Sequence, residues 1–164
     1  AIDESRLTFE LGPETLAKTS LKTIQVGGRV NLERSLQFSD RLGGHLVTGH
    51  VDAVGTLASR EQDGEWVTCW FSAPATVLAQ MVPKGSIAVD GVSLTVVDVT
   101  DERFSVALIP HTLAMTTLGT LAVGERVNLE TDLVGKYVTT RLDAWLAAGK
   151  LPTPARLPDA VEEK

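Results

Sequence analysis

The chain has 164 residues and 43% hydrophobic content, enough to fill the core of one domain or of two small ones, which excludes wholesale disorder. Its formal charge of −6, with acidic and basic residues interspersed, argues against nucleic acid or an anionic membrane as the main partner. A single cysteine, Cys69, cannot staple the fold, and no apolar run approaches the roughly 20 residues of a membrane helix.

The opening AIDESRLTFE has neither a basic n-region nor an apolar h-region, so a soluble, cytoplasmic protein is expected. The chain also lacks an initiator Met, which points to residues upstream. Residues 4–36 then align without a gap onto 101–133 at a constant offset of 97, with 17 of 33 positions identical. Leu11-x-Pro13-x-Thr15-Leu16-Ala17 returns as Leu108-x-Pro110-x-Thr112-Leu113-Ala114, and Val30-Asn31-Leu32-Glu33 as Val127-Asn128-Leu129-Glu130. Two copies are too few for a solenoid, so the period reads as two similar domains. The second copy extends back to about Thr48, whereas Ala1 already aligns with Asp98. The first copy thus lacks about half its module, to be completed by preceding residues or by another chain.

Short helical turns are expected around Thr15–Leu21 and Thr112–Leu118, plugging barrel ends. Between and after them, β-branched runs at Val51–Ala58, Trp66–Phe71, Ser86–Val89, Ser93–Val99, Phe104–Leu108 and Arg126–Glu130 predict antiparallel strands of a closed barrel or sandwich. Asp63-Gly64 and Asp90-Gly91 mark tight turns. From Asp132, a good N-cap, the period becomes helical, with Leu133, Val134, Tyr137, Val138, Leu142, Trp145 and Leu146 on one apolar stripe that Gly149 ends. That stripe must be buried on its own barrel or on partner chains. The proline-bearing tail beyond it is expected to be irregular.

Three polar clusters could carry chemistry. His45 and His50 stand five apart around a glycine-flanked strand start, which puts them on opposite faces and argues against a shared metal; with only Cys69 to add, a zinc site is rejected. Near neutrality a histidine can instead move protons. Ser93 and Thr95 share one strand face, read as inward, where each unpaired hydroxyl would cost roughly 1–3 kcal/mol. A polar ligand or the backbone at a strand end would pair them. Ile109-Pro110-His111-Thr112-Leu113 forms a loop whose backbone could read a planar heterocycle, or simply a structural turn.

In this order GGHLVTGHVD, KGSIAVDGVSLTV, LIPHTLAMTTLG and VNLETDLVGKY resemble the second barrel of the riboflavin synthase family, while LGPETLAKTS, VNLERSL and FSDRLGGH resemble the back of its first barrel. The resemblance covers about Leu7 to Leu146. It implies an all-β fold of tandem Greek-key six-stranded β-barrels, the first incomplete here, with a C-terminal α-helix. The implied domains are 1–44, the back of the first barrel with a linker; 45–132, the second lumazine-binding barrel; 133–148, a trimerisation helix; and 149–164, an irregular tail.

The reaction implied is a dismutation in which two molecules of 6,7-dimethyl-8-ribityllumazine exchange a four-carbon unit, giving riboflavin and 5-amino-6-(D-ribitylamino)uracil. A homotrimer is implied, with each site formed by the first barrel of one subunit facing the second barrel of its neighbour, and no metal or cofactor. Carried over to this chain, the substrate contacts fall on Gly49, His50 and Val51, on Lys84, on Ser93, Leu94 and Thr95, and on Ile109, Pro110, His111, Thr112 and Leu113. The first-barrel contact falls on Glu10, Leu11, Gly12, Pro13, Glu14 and Thr15, and the catalytic roles on His50, Ser93 and Asp132. His50 and Asp132 would transfer protons at the acidic C7 methyl, Ser93 and Thr95 would hold the ring, and Lys84 its polar edge or ribityl chain. The family's opening Met-Phe-Thr-Gly and its first-barrel Gly-Val-Cys-Leu-Thr-Val segment do not occur here. A non-catalytic relative resembling lumazine protein, holding a lumazine or flavin in one barrel, is the alternative of the same fold.

Overall fold

The computed structural model describes Ile2, Asp3 and residues 6–150; of the expected irregular tail, residues 151–164 lie outside the described residues. Six strands close into one antiparallel barrel: β3 (Ala53–Asp63), β4 (Trp66–Ser72), β5 (Ser86–Val89), β6 (Val92–Val99), β7 (Arg103–Leu108) and β8 (Arg126–Thr131). Around the barrel the order is β3-β4-β7-β6-β5-β8, with β8 paired back onto β3. Closure leaves this sheet no free edge. Two short strands, β1 (Ile2–Asp3) and β2 (Arg6–Leu7), pair with each other.

Alternation builds the barrel's interior. Val67, Cys69 and Phe71 on β4, Phe104, Val106 and Leu108 on β7, and Val127 and Leu129 on β8 all turn inward, and Phe71 stacks on Phe104 at 5.5 Å between ring centres. Each such side chain removed from water contributes about 1.5–3 kcal/mol. Both predicted Asp-Gly turns form, Asp63 pairing with Trp66 and Val89 with Val92, with Gly64 and Gly91 at positive φ. A helical turn the sequence reading did not anticipate, α2 (Ala75–Leu78), lays Val77 and Leu78 against the core.

At one barrel end α3 (Pro110–Met115) and a 3-10 turn (Thr117–Gly119) drive Leu118 into the core, and Arg60 donates to the Leu118 and Leu121 carbonyls. The first copy repeats this local pattern as α1 (Pro13–Lys18) and a 3-10 turn (Ser20–Thr23). Residues 24–50 contain no strand. The C-terminal helix α4 (Leu133–Ala147) starts where expected, Asp132 accepting from Val134 N at 3.0 Å, and Lys136 pairs with Asp52 at 2.8 Å. None of its residues is buried, and Val134, Tyr137, Val138, Leu142, Trp145 and Leu146 of the apolar stripe are exposed among the described residues.

Candidate functional site

The strand that carries Ser93 and Thr95 faces the opposite way from the expectation. Val96 fills the core and Leu94 packs against it, so by the two-residue alternation Ser93, Thr95 and Val97 stand on the outside of the barrel. They are not abandoned to open solvent. With Trp66, Leu94, Ala107, Ile109 and Thr112 they line a groove of ≈360 Å³ on the barrel wall. β6 contributes Ser93, Leu94, Thr95 and Val97 to it and the start of α3 contributes Ile109 and Thr112, so its hydroxyls are Ser93, Thr95 and Thr112.

His45 reaches Ser93 from the linker, Nδ1 to Oγ at 2.8 Å, and its Nε2, enclosed there, has no partner among the described residues. Gly44 explains the close approach: a Cβ at that position would collide with the Ser93 hydroxyl. The two histidines do not lie on a strand start, because β3 begins only at Ala53; both occupy the loop before it. His50 is exposed and makes no hydrogen bond among the described residues.

The structure therefore brings together Ser93, Leu94, Thr95, Ile109 and Thr112 and leaves the other expected residues outside the groove. Lys84 sits in the left-handed region at φ 66 at the entry to β5, its N–H donating to the Val96 carbonyl, one residue from Thr95. Pro110, His111 and Leu113 belong to α3, with Leu113 packed toward the core. Asp132 caps α4. Glu10 to Thr15 are exposed on the first copy and do not line the groove.

Gly49 and Val51 line a different and larger cavity, ≈760 Å³, between the first copy and the second barrel. Its walls come largely from equivalent residues of the two copies, among them Ser20 and Thr117, Ile24 and Leu121, and Asn31 and Asn128. It is a seam between the repeats.

Sequence reasoning missed Glu130. This buried carboxylate clamps the Thr48-Gly49 turn, accepting from Thr48 N at 2.7 Å, Thr48 Oγ1 at 2.8 Å and Gly49 N at 2.9 Å. The duplicated Asn-Leu-Glu was the available signal. It also missed Trp66, Val97 and Ala107, although Val97 follows from the alternation that pairs Ser93 with Thr95. Among the described residues no three His, Cys, Asp or Glu side chains converge to hold a metal ion. No described helix is long and apolar enough to cross a membrane.

Comparison with known proteins adds the following. The family described as the lumazine binding domain matches residues 48–132. The chain is 46% identical over 140 residues to the riboflavin synthase of Mycobacterium tuberculosis, across 84% of this chain and 70% of that one. It is 38% identical over 135 residues to the riboflavin synthase of Bacillus subtilis, across 82% of this chain and 63% of that one. Among solved structures, LumP complexed with riboflavin superposes with a TM-score of 0.65 at 28% identity, covering 72% of this chain and 64% of LumP. LumP complexed with 6,7-dimethyl-8-(1'-D-ribityl) lumazine gives 0.64 at 25% identity, covering 72% and 63%. The match thus spans roughly two thirds of the length of these relatives.

Proposed function

This chain belongs to the riboflavin synthase family, a family of enzymes, and from that premise we propose that it converts two molecules of 6,7-dimethyl-8-ribityllumazine into riboflavin and 5-amino-6-(D-ribitylamino)uracil. The observation that carries the reading is the groove between β6 and α3, with hydroxyls from Ser93, Thr95 and Thr112 over an apolar floor. A planar, heteroatom-edged ring matches that combination. His45 supports it further, because its Nδ1, 2.8 Å from Ser93 Oγ, fixes the orientation of that hydroxyl at the groove.

In this reading Ser93 and Thr95 hold the ring edge and the Ile109–Leu113 segment supplies backbone contacts. Lys84, beside Thr95, reaches the ribityl chain. His50 and Asp132 move the proton at the C7 methyl, and Gly49 and Val51 set the loop that carries His50. The groove is open, so it covers one face of a ring and leaves the other bare. Transfer of four carbons needs two lumazines in contact, which an open groove provides when a second protein surface opposes it. We therefore assign the Glu10–Thr15 loop of a neighbouring subunit to that role, in a cytoplasmic homotrimer whose exposed α4 stripes pack together.

The test is to incubate the full-length protein with the lumazine alone, without added metal, and follow riboflavin by fluorescence and chromatography. Riboflavin appears, and Ser93→Ala, which leaves the barrel core untouched, slows its formation at least tenfold. A trimeric sample that yields no riboflavin sinks the reading. Tight binding of lumazine or riboflavin without turnover would instead favour a carrier role, the reading to which the ligand-bound LumP structures lend support.

A further inference from the structure

Asn31 and Asn128 occupy equivalent places in the two copies, 97 residues apart, and each reaches into the other copy. Asn31 Oδ1 accepts from Thr117 N at 2.9 Å, and Asn128 Oδ1 accepts from Ser20 N at 2.7 Å. Ser20 and Thr117 are themselves equivalent, each opening the 3-10 turn of its copy. The exchange is reciprocal, as it would be across a two-fold axis.

The Asn31 amide nitrogen reaches further: Nδ2 donates to Thr117 Oγ1 at 3.0 Å and to the Asp90 carbonyl at 2.9 Å. Asp90 is the first residue of the turn that feeds β6, three residues before Ser93, and it adopts φ 47. Thr117 stands just after α3, the element that brings Ile109 and Thr112 to the groove. One side chain of the first copy therefore links the turn before β6 to the turn after α3, two elements that both line the groove, without lining it itself.

We propose that Asn31 is a positioning residue for the groove, fixing the separation of β6 and α3, so that ring binding by the second barrel depends on the first copy. The part that concerns a ring ligand rests on the groove assignment made above. Loss of the Asn31 donor leaves the Asp90 turn held by its two bonds with the Asn128 backbone alone, and the shift this allows passes along β6 to Ser93 and Thr95.

The experiment uses the whole chain, riboflavin as the probe, and three substitutions: Asn31→Ala, Asn31→Asp and Asn128→Ala. Flavin fluorescence quenching gives affinity, and amide hydrogen exchange reports each segment. Asn31→Ala is expected to weaken riboflavin binding roughly five- to tenfold and to speed exchange at Thr117 and over residues 90–95. Asn31→Asp keeps the acceptor for Thr117 N but lacks the donor for Asp90, so Thr117 stays protected while affinity falls as in Asn31→Ala. Asn128→Ala, which frees Ser20 N, leaves affinity within about twofold.

Wild-type affinity in both Asn31 variants overturns the proposal, as does an equal loss in Asn128→Ala. If the unsubstituted chain binds no riboflavin, the groove assignment is what fails. Exchange over residues 90–95 then decides the positioning claim by itself, and rates unchanged by Asn31→Ala overturn it.

Discussion

The two copies share half of their aligned residues and the same turns, yet end in opposite states. In both, the helical turn closes with a threonine hydroxyl on the carbonyl four residues back, Thr19 to Thr15 at 2.6 Å and Thr116 to Thr112 at 2.7 Å, and the glycine of the Val-Gly turn has φ 89 or 93. Beyond these turns the likeness stops. Phe104, Val106, Leu108, Val127 and Leu129 are fully buried, while their counterparts Leu7, Phe9, Leu11, Val30 and Leu32 are between 44 and 69% exposed. Turns are specified by contacts within a few residues and form wherever their residues stand. Strands exist by pairing, and among the described residues Val30-Asn31-Leu32-Glu33 pairs with no strand, although its twin is the strand on which the barrel closes.

The sharpest test of that contrast replaces equivalent residues. Phe104→Ala removes a ring stacked on Phe71 in a closed core and is expected to cost about 3–5 kcal/mol, enough to unfold much of the population. Leu7→Ala, at the matching position, is expected to change stability by less than ~0.5 kcal/mol. Urea titration followed by tryptophan fluorescence compares them directly. Similar losses would mean that the first copy is packed in solution, against another chain or against residues preceding it.

A smaller effect separates the two glutamates of the repeated Asn-Leu-Glu. Glu130→Ala deprives the N–H groups of Thr48 and Gly49 of their acceptor, with a cost of about 2–3 kcal/mol and rapid exchange at both amides. Glu33→Ala removes an exposed carboxylate and leaves the melting curve in place. A Glu130→Ala variant whose loop stays protected would show that the turn holds without its clamp.

What could be read without coordinates follows the same division. The six strands of the second barrel, both Asp-Gly hairpins and the start of α4 were legible, because alternation, turn chemistry and an N-cap are local signals. The inward reading of Ser93 and Thr95 was wrong for a physical reason. Alternation says that two residues share a face but not which face, and the neighbours Leu94 and Val96, being larger and apolar, take the interior. Ala107 joins the groove from β7, the strand that follows β6 and pairs with it, and Trp66 from β4 on the far side of β7, a placement that the barrel order sets and no spacing in the sequence announces. Lys84, His50 and Asp132 do not line the groove, since a family pattern names residues without giving the chain path that places them.

Asp90 lies at the seam between the copies and offers the finest test. Burial raises its carboxyl above the ordinary range by more than the hydrogen bond from Asn128 N, at 2.8 Å, lowers it. The folded chain therefore keeps this proton to higher pH than the unfolded chain does. The stability that this contributes is complete below the unfolded carboxyl's pKa and is lost as pH rises through the raised folded value. Once the carboxyl has given up that proton, the turn carries a desolvated charge. An asparagine in its place accepts from Asn128 N through its amide oxygen, tolerates φ 47, and has no charge to desolvate. Asp90→Asn is expected to raise Tm by roughly 2–4 °C near pH 7, with the gain fading as pH falls toward about 4. An equal gain at both pH values would assign the effect to turn preference rather than charge. No gain at pH 7 would mean that the bond to Asn128 outweighs the burial, and that the seam between the copies is wet enough to hold an ion.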